Sequence, residues 1–420
     1  MIILIDLDGT LVNTAESRFK PMKDGLAATV INEIPVFPGA QDFVRELTRI
    51  GHIPLIISDS HPRYVNPIAA ELFGIPALCL ADKPNTIKTA QYLESLGHDV
   101  NAKDNFIVVG DTWLDIEMGR GLNFKTILTQ FYVASEVEER DGIGKTWNHL
   151  KSGPTYVAAS YSKVLEIISN PVSHLWAAES SFQNSNSTET FKLYSFSQNG
   201  IITFYRSMGR QDTGECDRFG IASYYTEFQR SDRSAETLQK LANAVQFYIG
   251  NLITTQPSYT WDYFTYVSDK VTTTPPDKMR NFFNLIDVPL TKLETLKWSE
   301  TVDGTIRNMV NYKLRRGFIS QNLKVLDNID LNGKSLIILD DQFTTGGTAF
   351  EIVDMFRQRG VKNVLFLTLF FMVSMVSSNR DCPKCGKKMQ VKIRKSDGHK
   401  FYSCTPPQYR GTGCGHAENV

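Results

Sequence analysis

The chain opens on "IILIDLDGT" (Ile2–Thr10), an apolar run that stops at two carboxylates spaced by two, Asp6 and Asp8, with Gly9 free to turn the backbone. The same punctuation recurs in "PLIISDS", "ALCLAD", "FIVVGD", "KTILTQF" and "TYVAASY", with helix-length amphipathic segments between. Short, continuous apolar runs alternating with helices bury their backbone polar groups in a parallel sheet covered on both faces. The pattern predicts a doubly wound α/β domain over residues 1–170.

At 420 residues the chain exceeds what one hydrophobic core serves, so more than one domain is expected. Beyond residue 170 the texture turns to short polar and aromatic alternations such as "FKLYSFSQNGIITFYRS", with a hairpin turn at Gln198-Asn199-Gly200. A helix ("SAETLQKLANAVQFYIGNL"), the strand "DYFTYVS" and a βα unit at Asp340 follow. Residues 171–378 are thus read as a second doubly wound parallel-sheet domain with an antiparallel extension, and residues 379–420 as a small separate module.

The longest apolar stretch, "VLFLTLFFMVSMV" (Val364–Val376), is shorter than the roughly 20 residues of a membrane helix and reads as a buried parallel strand. No basic, apolar leader precedes Asp6, so a cytoplasmic protein without a membrane partner is expected. Lys plus Arg and Asp plus Glu both total 45, so net charge selects no partner.

Asp6 and Asp8 leave a strand end where both can approach one cation and one phosphate. Ser58 ends the second strand with a hydroxyl, Lys83 in "ADKPN" supplies a cation, and "VVGDTWLD" supplies Asp111 and Asp115. These four motifs, in this order, resemble the signatures of the haloacid dehalogenase superfamily. The resemblance implies an aspartyl-phosphate mechanism. Asp6 would be the nucleophile and Asp8 the acid and base, with Thr10, Ser58 and Lys83 as further catalytic residues and Mg²⁺ held by Asp6, Asp8, Asp111 and Asp115. For Asp115 a helix-start role stands beside the metal role, and Asp59 and Ser60 are read as helix caps. The segment from Thr10 to "VFPGA" is too short for a full inserted cap domain.

"LIILDDQFTTGGTAFEIVDMF" presents Asp340 and Asp341 at a strand's end, then a small hydroxyl-rich loop running into a helix, whose N–H groups favour an anion. The motif resembles the phosphoribosyl pyrophosphate (PRPP) motif of type I phosphoribosyltransferases, and its surroundings resemble the ComF branch. By that resemblance Asp340 and Asp341 would contact ribose hydroxyls, while Thr344, Thr345, Gly346, Gly347 and Thr348 would hold the 5′-phosphate. Ser268, Asp269 and Lys270 become candidates for the pyrophosphate loop, and Arg315 and Arg316 for a mobile basic pair, whose plainer reading is a solvated face. "DKVTTTPPDK" departs from the basic-aromatic segment usual near that loop, which leaves transferase activity open.

Cys382, Cys385, Cys404 and Cys414 form two pairs with metal-site spacing and predict an all-thiolate zinc site, with His416 as the alternative to Cys414. The segment resembles the zinc ribbons of type I DNA topoisomerases. Residues 380–420 carry nine Lys/Arg against three Asp/Glu, with Phe401, Tyr402 and Tyr409 interspersed, a footprint that suits single-stranded DNA or RNA. A ribbon that docks on protein is the structural alternative. Cys79 and Cys216 read as small buried side chains.

Together these features predict a bifunctional enzyme of nucleotide or pentose-phosphate metabolism, using Mg²⁺ and Zn²⁺, with PRPP or a nucleotide as substrate and a larger complex or homo-oligomer as its setting. Two other classes remain open: a nucleic-acid-associated effector of phage defence or stress resembling retron systems, and a PRPP-sensing regulator without turnover.

Overall fold

The computed structural model describes residues 1–131, 149–198, 200–211, 221–230, 232–256, 258–270, 277–299, 302, 312–373, 377–385, 388–393, 400–404 and 414–419. Cys216 and Tyr409 lie outside them. The chain divides into two compact units, one of Met1–Pro171 with Val373–Val420, the other of Val172–Gln211 with Phe219–Met372.

In the first unit, β1 (Ile2–Ile5), β2 (Ile53–Ile57), β3 (Ala77–Leu78), β4 (Phe106–Gly110), β5 (Lys125–Thr129) and β6 (Tyr156–Ala158) form one parallel sheet in the order β3-β2-β1-β4-β5-β6. All six runs read as strands in the sequence are strands. The interior ones are buried along nearly their whole length, which is why they spell continuous apolar runs. β1 lies between β2 and β4, with Ile5 opposite Ile56 on one side and Val109 on the other. Asp6 and Asp111, each one residue past its strand, therefore emerge side by side at the carboxyl edge, where the strand order reverses and α/β sheets bind ligands.

The second unit holds β7 (Phe191–Gln198), β8 (Ile201–Ser207), β9 (Arg210–Gln211), β10 (Tyr263–Tyr266), β11 (Thr291–Lys292), β14 (Ser335–Phe343) and β15 (Asn363–Met372), with β12 (Leu296–Trp298) and β13 (Leu323–Val325) as a separate antiparallel pair. Its main path runs β11-β10-β14-β15-β8-β7, and β9 pairs with the end of β15. β7 and β8 form the expected hairpin, but β8 also pairs in parallel with β15, so the hairpin is the sheet's edge and not an appendage. The core of this unit packs the helix Ala235–Thr255 through Leu241, Val245 and Ile249 against Leu365, Leu367 and Leu369 of β15.

The last strands, β16 (Ser377–Asp381), β17 (Lys388–Ile393), β18 (Lys400–Ser403) and β19 (Ala417–Asn419), form a small antiparallel sheet. Its apolar cluster amounts to Met389, Cys382 and Cys404 with Tyr402 against them. Among the described residues no helix is long and apolar enough to cross a membrane.

Candidate active site

Gly9, at φ 94°, turns the chain directly after Asp8, and its N–H donates to Val12 O at 2.8 Å, so the loop after β1 folds back on itself. Asp6 is buried at the floor of this turn. Lys83 Nζ donates to Asp6 Oδ1 and to Asp115 Oδ1, each at 2.6 Å, and to Ile57 O at 3.3 Å. Oxygens of Asp6, Asp111 and Asp115 lie within 4.8 Å of one another.

Three buried carboxylates face one ammonium, and that imbalance sets their protonation. Burial, then Asp115 and Asp8, push the Asp6 carboxyl up to about 8, against the pull of Lys83. Burial, with Asp6 and Asp115 adding repulsion, holds Asp111 well above the ordinary carboxylate range. Burial works to lower Lys83, but Asp115, Asp6 and Asp59 outweigh it and hold the ammonium above its usual value.

Around Lys83, Asp111 Oδ1 and Thr10 Oγ1 are buried without a partner among the described residues. Buried polar atoms are rarely left unpaired. A hard cation among the three carboxylates would engage Asp111 Oδ1 and relieve their repulsion, so the donor set fits Mg²⁺. Thr10 Oγ1 suits a phosphoryl oxygen.

Asp115 takes the helix-start role. Its Oδ2 accepts from Thr112 N at 3.1 Å and Thr112 Oγ1 at 2.8 Å, a capping box that starts the helix Trp113–Gly121, while its Oδ1 faces Lys83. Asp8 stands apart from the metal cluster. Its Oδ1 receives Thr14 Oγ1 at 2.5 Å, Tyr64 OH at 2.9 Å and Lys23 Nζ at 3.0 Å, and its Oδ2 receives Ser60 Oγ at 2.9 Å. The capping expectation for Asp59 and Ser60 is corrected. His61 caps the helix Pro62–Ile68 by accepting from Arg63 N, Ser60 serves Asp8, and Asp59 Oδ1 accepts from Lys83 N at 2.8 Å. Ser58 is buried, and its Oγ accepts from Ser60 N at 3.1 Å. Lys23, Tyr64 and Thr14 were not singled out in the sequence.

In the second unit β14 runs past its acids to Phe343, so Asp340 and Asp341 sit within the strand and not after it. Asp340 is buried, and burial followed by repulsion from Asp341 holds its carboxyl well above the ordinary range. Asp341 Oδ2 accepts from Lys278 Nζ at 2.5 Å and from Gln229 Nε2 at 2.9 Å. Lys278 closes the segment whose lack of basic-aromatic character had left the site in question.

Gly346, at φ 80°, caps the helix Gly347–Gln358, which begins with Gly347 and Thr348. A Cβ at Gly346 would meet the Phe350 ring at 2.5 Å. Thr345 Oγ1 is buried without a partner, and Arg315 Nη1 donates to Thr344 Oγ1 at 2.5 Å. Arg316 pairs instead with Glu351 and Asp354. Asp269 accepts from Met279 N, and Lys270 Nζ lies 4.3 Å from the centre of the Phe318 ring. Trp298 Nε1 donates to Ser268 O at 2.7 Å.

The four cysteine sulfurs lie within 4.8 Å of one another, with Cys382 and Cys414 at 3.5 Å and Cys385 and Cys404 at 3.3 Å. A tetrahedral zinc with Zn–S near 2.3 Å calls for sulfur separations of about 3.8 Å, so the cluster is compatible with zinc. His416 lies outside this cluster, 3.9 Å from Glu418.

Residues 25–123 match the haloacid dehalogenase-like hydrolase family, a span that holds Ser58, Lys83, Asp111 and Asp115 but begins after Asp6 and Asp8. No curated protein matches the chain. Among solved structures, one described as a phosphoglycolate phosphatase from Lactobacillus delbrueckii is 17% identical, covering 40% of this chain and 97% of its own, with a TM-score of 0.30. A haloacid dehalogenase-like family protein from Streptococcus pneumoniae is 16% identical over 40% and 97% of the two chains, with a TM-score of 0.30. CbbY from Rhodobacter sphaeroides, solved with xylulose 1,5-bisphosphate, is 13% identical over 39% and 95%, with a TM-score of 0.29. The family match together with the buried carboxylates around Lys83 identifies residues 25–123 as the body of a haloacid dehalogenase-like hydrolase domain.

Proposed function

We propose that the first unit hydrolyses phosphate monoesters through an aspartyl-phosphate on Asp6. The observation that carries this reading is Asp6 and Asp115 bridged by Lys83, beside the unpartnered oxygens of Asp111 and Thr10. Mg²⁺ bound by Asp6, Asp111 and Asp115 would supply positive charge to the phosphoryl oxygens and hold Asp6 ionised. The Asp8 backbone carbonyl is an expected further ligand. Asp6 attacks phosphorus, the ester P–O bond breaks, and the leaving oxygen takes a proton from Asp8. Asp8 then takes a proton from water, whose oxygen displaces Asp6 and releases phosphate. Lys83 and Thr10 hold the phosphoryl oxygens, and Ser58 keeps the loop after β2 in place through Ser60 N.

For the second unit we propose that Asp340 and Asp341 hold vicinal sugar hydroxyls and that residues 344–348 hold a 5′-phosphate, with PRPP or a nucleotide as ligand. Support comes from the unpartnered Thr345 Oγ1 beside a left-handed Gly346 at a helix start. Asp341 already carries Lys278, so a sugar must compete with a buried ammonium for that carboxylate. PRPP sensing without turnover stands as a second reading beside transfer. Zinc in the ribbon, and single-stranded DNA or RNA upon it, complete the proposal, with a nucleic-acid-associated defence or stress effector as the alternative setting.

The deciding experiment incubates wild type, Asp6→Asn and Asp341→Asn with Mg²⁺, PRPP, bases and a panel of phosphate monoesters, and measures phosphate and pyrophosphate. Phosphate release lost only in Asp6→Asn supports the hydrolase. Release that survives Asp6→Asn overturns it. Pyrophosphate lost only in Asp341→Asn supports transfer, and saturable PRPP binding without pyrophosphate supports sensing.

A further inference from the structure

Away from both acid-bearing strand ends, the second unit carries a half-open cavity of about 430 Å³ between the edge of its sheet and the C-terminal half of the helix Ala235–Thr255. Strands β7, β8 and β15 contribute Lys192, Phe204, Arg206 and Leu365, while β14, which bears Asp340 and Asp341, contributes nothing. Leu365 lies three residues before Thr368, the partner of Asp340 in the register, so the cavity sits on the face of the sheet below its carboxyl edge.

The lining is unusual in its charge. Arg206 is half-buried and forms no ion pair among the described residues. Its Nη1 donates to the carbonyls of Tyr194 and Tyr205 at 3.3 and 3.1 Å, which anchors one side of the guanidinium. Its remaining N–H groups have no protein acceptor among the described residues, although the residue lines open space. Burial draws the guanidinium below its ordinary value, with Tyr248 opposing, the mark of a cation that lacks a matching anion. Lys192 lies opposite Arg206 in the β7/β8 register and also forms no ion pair among the described residues. Glu189 is the one carboxylate in the lining, and it has other interactions of its own.

The walls between these cations are aromatic. The Arg206 guanidinium stands 5.0 Å from the centre of the Phe204 ring, and Tyr259 meets that ring edge-on at 5.6 Å. The Tyr248 hydroxyl bonds to Thr190, and Asn251 and Gln256 add amide groups at the rim. Two uncompensated cations beside aromatic faces and a few amides and hydroxyls match an anion joined to a flat ring. The volume falls in the range of about 300–1,000 Å³ that small-molecule sites occupy.

We propose that this cavity is a nucleoside monophosphate site, in which Arg206 and Lys192 hold the phosphate and Phe204, Tyr248 and Tyr259 bound the base. It is separate from the Asp340–Thr348 loop and does not rest on the function assigned to that loop.

Isothermal titration calorimetry of the full chain with AMP, GMP, CMP and UMP tests it, in an Asp6→Asn background so that hydrolysis does not consume the ligand. The expected result is saturable binding of at least one of them, weakened about tenfold or more by Arg206→Gln and by Lys192→Gln. Saturating PRPP, the ligand proposed for the Asp340–Thr348 loop, should leave that binding in place. Lys192 is exposed, so its variant keeps the test decisive should Arg206→Gln fail to fold. No binding by any of the four at millimolar concentration overturns the proposal. So does binding that survives both cation variants, and so does binding abolished by saturating PRPP, which would place the nucleotide in the other loop.

Discussion

Lys83 Nζ lies 2.6 Å from Asp6 Oδ1, and the two side chains are 5% and 8% exposed. The same ammonium also serves Asp115, so its removal leaves two buried carboxylates without a countercharge. Lys83→Met should abolish phosphate release and destabilise the first unit by about 3 kcal/mol, the scale for breaking a buried pair on one side. Urea unfolding followed beside phosphatase assays checks both. A Lys83→Met protein of unchanged stability would show that Asp6 and Asp115 simply take up protons instead.

Mg²⁺ should stabilise the protein more as pH rises. Without metal, Asp6 sits near 8 in the folded chain because of burial first and then Asp115, against about 3.9 for an unfolded aspartate. The raised value means that the folded state keeps a proton the unfolded state has lost. Its contribution is full below the unfolded value and disappears as pH climbs through 8. Metal binds the ionised form and removes that loss. The Mg²⁺-induced increase in Tm should therefore be larger at pH 8 than at pH 6, and binding should release protons, measurable by calorimetry in buffers of different ionisation heat. An increment independent of pH would exclude Asp6 as the titrating ligand.

Gly346→Ala should disable the second loop while leaving the hydrolase intact. At φ 80° an alanine is strained, and its Cβ would fall 2.5 Å from the Phe350 ring. A local cost of about 1–3 kcal/mol is expected. PRPP binding should fall below detection in titration calorimetry while phosphate release from a simple aryl phosphate stays within about twofold of wild type, as expected for sites that do not share residues.

The C-terminal sheet should depend on zinc at its four cysteines. Among the described residues its apolar cluster holds Met389, Cys382, Cys404 and the partly buried Tyr402, which is little to order four strands. Elemental analysis should find one zinc per chain, and Cys382→Ser or Cys404→Ser should lower it to under half. Limited proteolysis after chelation should then cut first in residues 377–420. Full zinc content in both serine variants would refute the four-thiolate site.

The strands of the first unit were legible because burial on both faces leaves a direct mark in sequence, as in "FIVVG" of β4. Asp6 and Asp111 were legible for a related reason: each directly follows an apolar run whose direction fixes where the next side chain emerges, while Lys83 and Asp115 were picked out by the order of the motifs that hold them. The surroundings of Asp8 were not. Lys23, Ser60 and Tyr64 reach it from segments 15, 52 and 56 residues away, and no local periodicity encodes such a meeting. Lys278 was hidden for the same cause, since it meets Asp341 across 63 residues. The parallel pairing of β8 with β15 spans more than 150 residues, so the hairpin could be read from its turn while its place in the sheet could not.

The placement of Asp6 and Asp111 on adjoining strands has one more consequence. Their spacing is set by a ruler, the roughly 4.8 Å lateral repeat of the hydrogen-bonded sheet, with Ile5 held opposite Val109. Side chains elsewhere can change without altering that interval, because main-chain bonds and not side-chain identities measure it. The centre can thus stay constant while the loops around it drift toward new substrates, and only a slip of one residue between β1 and β4 would put it out of gauge.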